Sequence, residues 1–182
     1  MEKSAIAAAA AARIAPGSAI GVTAGTTTYQ LVQHLLGIAD LTVVTNSIAI
    51  ASTLHTAGSQ NLQVVITGGS PTPSNAIVGP LADRTLADLH LDQLFMGVHG
   101  MTEESGFTTP NLAEAQTNQA FIRSAREIVV IVDSTKWGVT GLGTIAPLAS
   151  ADVLVTDDAL TGAAQRVMDR EIGVLEVVPA TV

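Results

Sequence analysis

The chain has 182 residues, 47% of them apolar and only 13% charged, which suits one globular domain with a sizeable core and excludes a disordered chain. Cysteine is absent, excluding a disulfide framework and thiolate chemistry. A net charge of −8, with eight unclustered Lys and Arg, excludes duplex DNA as a direct partner of this surface taken as a whole.

Strand and helix signals then alternate along the chain. Ser4 to Ile14 reads as an Ala-rich helix stopped at Pro16-Gly17. Arg13 and Pro16 break that run, so it fits neither a bilayer span nor a secretory signal, and cytoplasmic residence is expected. Ala19 to Thr23 is a short apolar strand, and Thr26 to Leu36 a helix between Gly25 and Gly37. Strand Leu41 to Val44 leads to helix Ser47 to Thr56, and strand Leu62 to Ile66 ends at Gly68-Gly69. Pro80 to Leu89 reads as a helix and Leu91 to Val98 as a strand. Met101 to Pro110 is a long loop, and Asn111 to Arg126 is helical. Ile128 to Asp133 is a β-branched run of the buried type. Val153 to Thr156, Ala159 to Arg170 and Val174 to Val178 read as strand, helix and strand. Loops 67–79 and 134–147 are long enough to be functional, and Gly138 to Gly143 reads as a mobile loop.

Apolar strands separated by helices predict an α/β fold: a mostly parallel, Rossmann-like sheet with helices on both faces, as a single domain over 1–182. In such sheets ligands bind beyond the carboxyl ends of the strands. Five strand ends carry small polar residues. They are Thr23 with Gly25, Thr26, Thr27 and Thr28; Thr45-Asn46-Ser47; Gly68-Gly69; Gly97 with His99 and Gly100; and Asp133 with Lys136. Glycine followed by hydroxyl residues at a helix start leaves N–H groups and the positive helix pole pointing outward, which suits an anion such as a phosphate. Ser47 offers the same at the next helix, although Thr and Ser are also ordinary caps. Lys136 is the counter-charge for an anion, against a solvated surface Lys, and Asp133 either steadies it or accepts from a sugar hydroxyl. Glu114 is a second acceptor or an exposed acid of a first helical turn, and His99 a wall residue or a bonded loop His. Trp137 reads as core packing. No metal-ligand spacing, nucleophile elbow, Walker loop or G-x-G-x-x-G fingerprint occurs, so neither cofactor nor metal is expected.

Together these segments resemble the C-terminal sensor domain of the DeoR family of bacterial transcription regulators. The resemblance runs in order through "IAAAAAARIAPGSAIGVTAGTTT", "LTVVTNSIAIASTL", "VVITGG", "AIVGPLADRTLADLHLDQLFMGVHGM", "GFTTPNLAEAQTN", "VVIVDSTKWG" and "VLVTD". It implies a fold shared with ribose-5-phosphate isomerase and glucosamine-6-phosphate deaminase. It also implies a phosphorylated sugar as effector, bound without chemistry, in a regulator of carbohydrate genes that is typically a repressor. A helix-turn-helix domain is expected ahead of this region, with Met1-Glu2-Lys3 an imposed start, so DNA is a partner only through that domain. Family habit implies a homo-oligomer, dimer or tetramer, and Ala-rich helices would allow close packing; no membrane partner is expected. Many members carry Asp at Thr23 and Lys at Asn118, which leaves Lys136 as sole cation and shifts the hydrogen-bonding pattern around the ligand. The alternatives are a sugar-phosphate isomerase or deaminase on the same fold, or a mere oligomerisation platform. Against the enzyme, the turn Met96-Gly97-Val98-His99-Gly100 carries no acid.

Overall fold

The computed structural model describes residues 2–58 and 61–179, so Met1 of the opening tripeptide lies outside the described residues. Six α-helices run in chain order among the described residues: α1 (Glu2–Ala11), α2 (Thr26–Leu35), α3 (Ile48–Thr56), α4 (Pro80–Ala87), α5 (Leu112–Ser124) and α6 (Gly162–Glu171). The strands are β1 (Ala19–Val22), β2 (Leu41–Thr45), β3 (Leu62–Ile66), β4 (Ser70–Pro71), β5 (Ile77–Val78), β6 (Leu91–Met96), β7 (Gly100–Thr102), β8 (Gly106–Thr109), β9 (Ala125–Ile131), β10 (Gly143–Ala146), β11 (Val153–Asp157) and β12 (Val174–Val178).

Seven strands form the main sheet in the order β12-β11-β9-β6-β1-β2-β3, and every pairing is parallel. The chain builds outward from β1 to β3, returns to β6 on the other side of β1, and builds outward again. The order therefore reverses between β1 and β6, which opens a crevice at their carboxyl ends.

Alternation along each strand feeds two cores. On β6, Phe95 joins Ile6, Leu31, Leu35, Ile50 and Leu54 from α1, α2 and α3 on one face. Its neighbours Leu94 and Met96 join Leu86, Phe121 and Met168 from α4, α5 and α6 on the other. Each such fully buried side chain contributes roughly 1.5–3 kcal/mol. The alanines of α1 serve this packing: Ala7 and Ala10 are wholly buried, which lets α1 lie close against α2 within the chain.

The segments read as free loops depart from expectation. Within 101–110, β7 and β8 pair as a hairpin, and β10 adds beside β8 to make a three-stranded antiparallel sheet. The 138–143 segment, expected to be mobile, is fastened to it, its last residue opening β10. Gly138 N–H donates to the Met101 carbonyl at 3.0 Å and Gly141 N–H to Thr108 Oγ1 at 2.9 Å. The physical reason is that strands of three or four residues show no usable alternation, and β10 reaches β8 only across α5 and β9. The 67–79 segment holds the β4–β5 hairpin.

Candidate functional site

The carboxyl ends of β1, β2, β6 and β9 open onto a cleft of about 480 Å³. That volume lies in the range of small-molecule sites. The β1–α2 turn contributes Gly25, Thr26 and Thr27, and Ser47 comes from the start of α3. Gly97 and His99 follow β6, Asp133 and Lys136 follow β9, and Glu114 and Asn118 come from α5. Glu114 and Asn118 stand one helical turn apart, hence on one face. Thr26, Ser47 and Lys136, from three different strand ends, thus share one cavity.

The remaining sequence candidates lie behind the wall and fasten it. Thr23 Oγ1 accepts the Gly97 N–H at 3.1 Å, tying β1 to β6 across the crevice. Thr28 Oγ1 donates to the Gly25 carbonyl at 3.0 Å. Thr45 Oγ1 donates to the Val22 carbonyl at 2.6 Å and accepts the Ser47 N–H at 3.1 Å. Asn46 Oδ1 accepts the Ala24 N–H at 2.9 Å while its Nδ2 donates to the Ile77 carbonyl at 3.2 Å. Gly68 and Gly69 take positive φ in the turn before β4, and a Cβ on Gly69 would come within 2.4 Å of the Val78 carbonyl oxygen. Gly100 passes beneath Val139, whose carbonyl oxygen would stand 2.1 Å from a Cβ there.

The two helix starts differ. Ser47 Oγ accepts the Ile50 N–H at 3.3 Å, so α3 is capped by its own side chain and does not offer the open pole expected of it. At α2 the cap position is Gly25, which has no side chain to serve its first amides. Of these two helices, α2 is the one that keeps an open positive pole at the cleft. Beside it stand two polar side chains with no hydrogen-bond partner among the described residues. Thr27 is 7% exposed and Asn118 9% exposed, and both line the cleft.

The charged groups are arranged unevenly. Lys136 is half-buried on one wall. Lys3 of α1 is not a lining residue but touches two that are, donating to Thr26 Oγ1 at 2.7 Å and standing 3.8 Å from Asp133 Oδ2. Asp133 is buried and also accepts the Thr135 hydroxyl. Glu114 forms the opposing wall, where its carboxylate accepts hydroxyls from Thr72 at 2.7 Å, Thr109 at 3.3 Å and Ser74. Those bonds occupy most of its capacity, so Glu114 chiefly holds the β4–β5 hairpin, whose Ser74 and Asn75 line the cleft. Trp137 packs against the core rather than the cleft.

Sequence reasoning set Lys3 aside within the opening tripeptide and missed Asp157 and the hairpin tip. Asp157 is buried at the end of β11, where its carboxylate accepts the Ser134 N–H and so positions the turn carrying Lys136. A run of apolar residues ending in an acid was the only available signal for it.

Comparison with known proteins gives the family and the fold. The profile of the DeoR C terminal sensor domain matches residues 1–158. The uncharacterized HTH-type transcriptional regulator YgbI of Escherichia coli (strain K12) is 34% identical over 171 residues, covering 93% of this chain and 66% of that protein. A putative aga operon transcriptional repressor of Escherichia coli O157:H7 is 30% identical over 159 residues, covering 87% of this chain and 58% of the relative. The chain thus spans two thirds or less of the length of these relatives. Among solved structures, ribose 5-phosphate isomerase from Plasmodium falciparum superposes with a TM-score of 0.54 at 13% identity, over 77% of this chain and 54% of that one, a likeness of fold alone. Among the described residues no helix is long and apolar enough to cross a membrane.

Proposed function

This chain belongs to the family of DeoR C-terminal sensor domains of transcription regulators, and we propose that its cleft binds a phosphorylated sugar as effector without transforming it. The observation that carries this reading is the meeting, in one cleft, of the uncapped α2 start, Lys136, and the unpartnered polar side chains Thr27 and Asn118. The first two, with Thr27 on the first turn of α2, favour an anionic head; Asn118, with Ser74 and Asn75 of the hairpin tip, favours a hydroxylated body.

Turnover through a carboxylate is disfavoured by the same geometry. Proton transfer by such a group needs it free to reach the substrate. Glu114 is engaged by three hydroxyls, and Asp133 by Thr135 and Lys3. We read the whole regulator as a repressor of carbohydrate genes. A helix-turn-helix domain outside these residues contacts DNA, and the sensor domains assemble as dimers or tetramers. Effector binding then shifts a two-state equilibrium that the DNA-binding part reads.

A thermal-shift panel of sugar phosphates, each beside its dephosphorylated form, tests the reading. One phosphorylated member raises the melting temperature while its parent sugar does not; at a hundredfold excess over Kd the gain is about 2.7 kcal/mol. Lys136→Ala and Thr27→Ala each remove that shift and still fold. A flat response across the panel, or turnover of ribose 5-phosphate by the pure chain, overturns the proposal.

A further inference from the structure

We propose that Lys3 is a second anion ligand of the cleft, and that through it an occupied site fixes the first turn of α1; this rests on the anion-binding reading above. The chain contains only two lysines, Lys3 and Lys136, and the fold brings both to Asp133. Lys136 follows it by three residues on the same tight turn, and its backbone N–H donates to the Asp133 carbonyl at 3.1 Å. Lys3 comes from a different layer, its Nζ lying between Thr26 Oγ1 at 2.7 Å and Asp133 Oδ2 at 3.8 Å.

Charge balance decides why the second lysine matters. Asp133 is a cleft-lining carboxylate only 4% exposed, and in that setting it repels an incoming anion. Lys136 alone merely cancels it. Lys3 adds a second positive charge at this end of the cleft, beside the open pole of α2. Its ammonium has three donors. Thr26 takes one and Asp133 stands at ion-pair distance, which leaves a donor for an oxygen of a ligand seated on the α2 start.

The placement also couples ligand to helix. Ile6, Ala7 and Ala10 anchor the body of α1 in the core, whereas the Lys3 side chain is 38% exposed and hangs on the first turn. A group held at a helix end can be fixed or released at small cost, and its capture steadies that turn. Amides of residues 6 and 7 bond back to the carbonyls of residues 2 and 3 in an α-helix, so their exchange reports the state of that turn.

The test titrates inorganic phosphate into the wild-type chain, Lys3→Met, Lys3→Arg and Lys136→Met, following melting temperature and amide exchange at Ile6 and Ala7. Phosphate stabilises the wild type, and Lys3→Met weakens its apparent affinity by at least about tenfold, as loss of a charge-assisted bond does. Lys3→Arg stays within about threefold, since charge is retained. Phosphate slows exchange at Ile6 and Ala7 in the wild type and Lys3→Arg but not in Lys3→Met. Melts without phosphate show that Lys3→Met folds; should it not, Lys3→Arg against Lys136→Met answers the question through exchange alone. Lys3→Met binding phosphate like the wild type, with Lys136→Met weakened, overturns the role of Lys3 and leaves the sugar-phosphate reading standing. A wild-type chain indifferent to phosphate overturns Lys3 as an anion ligand, while the sugar-phosphate panel judges the wider reading separately.

Discussion

The carboxylate of Asp157 accepts the Ser134 N–H at 2.8 Å and thereby links the end of β11 to the turn that presents Lys136. Its other oxygen accepts the Ala159 N–H at 3.0 Å. Burial pushes this carboxyl up, but the hydrogen bonds from Ser134 and Ala159 outweigh it and hold it below its ordinary value of 3.8. The sign follows from linkage. A depressed folded-state pKa stabilises the fold in full above the unfolded value, near 3.9, and that stability is lost as pH falls through the folded value. Asp157→Asn therefore costs about 2 kcal/mol at neutral pH, since two main-chain donors lose a charged acceptor. Urea melts at pH 7, 4 and 3 show the gap between wild type and variant full above about pH 4 and narrowing below it. A gap of constant size would show that the carboxylate charge is not what fastens this turn.

Two glycines three residues apart predict opposite outcomes. A Cβ on Gly100 would stand 2.1 Å from the Val139 carbonyl oxygen, a backbone atom pinned by the small sheet. Gly100→Ala therefore loses about 3 kcal/mol or more, because the 138–142 segment must lift off the hairpin. A Cβ on Gly97 meets Thr28 Cγ2 at 3.4 Å, an ordinary contact. Gly97→Ala stays within about 1 kcal/mol of the wild type despite lining the cleft. Equal losses in denaturant titrations would mean that the close approach of Val139 is not what demands glycine at position 100.

How far the sequence is readable depends on the range of the interactions. The main sheet is legible because a run such as Ile128 to Val132 can only be a strand buried on both sides. Boundaries move where a side chain takes a capping role: Asn111 Oδ1 accepts the Ala113 and Glu114 N–H groups, so α5 starts one residue later than its periodicity implies. The small sheet is not legible, since Thr109 pairs with Gly143 across a whole helix and a strand. The hydroxyl-rich strand ends are visible as a set, but composition cannot separate a wall residue such as Thr27 from a brace such as Thr45 or Asn46. That distinction lies in partners from neighbouring strands. Lys3 is invisible for the same reason: its Thr26 contact spans 23 residues and two helices.

Thr23 braces the rim of the crevice rather than touching the cleft. It is 1% exposed, and its hydroxyl is the acceptor for the Gly97 N–H. Thr23→Val keeps the shape and strands that donor, at a cost of about 1–3 kcal/mol. Thr23→Ser keeps the acceptor and most of the stability. Amide exchange at Gly97 quickens in the valine variant and not in the serine variant. Protection of Gly97 in Thr23→Val would mean that the donor finds another partner and that the bridge between β1 and β6 is dispensable.

Glu114 sets the position of the hairpin tip from across the cleft. Thr72, Ser74 and Thr109 all donate to its carboxylate, and the turn itself closes through Thr72 N–H to the Ala76 carbonyl at 2.8 Å and Asn75 N–H to the Thr72 carbonyl at 2.9 Å. The β5 side stays docked without Glu114, because the Ile77 N–H donates to the Asn46 carbonyl at 2.7 Å. Loss of the acid thus loosens the tip and not the base. Glu114→Ala costs about 1–2 kcal/mol and raises exchange at Thr72 and Asn75 while leaving Ile77 protected. Glu114→Gln is intermediate, since one oxygen remains to accept and the amide nitrogen can only donate. Because Ser74 and Asn75 line the cleft, both variants weaken sugar-phosphate binding more than inorganic phosphate binding. Equal weakening of the two ligands would place the tip at the anion end of the cleft and reverse the ligand orientation proposed here.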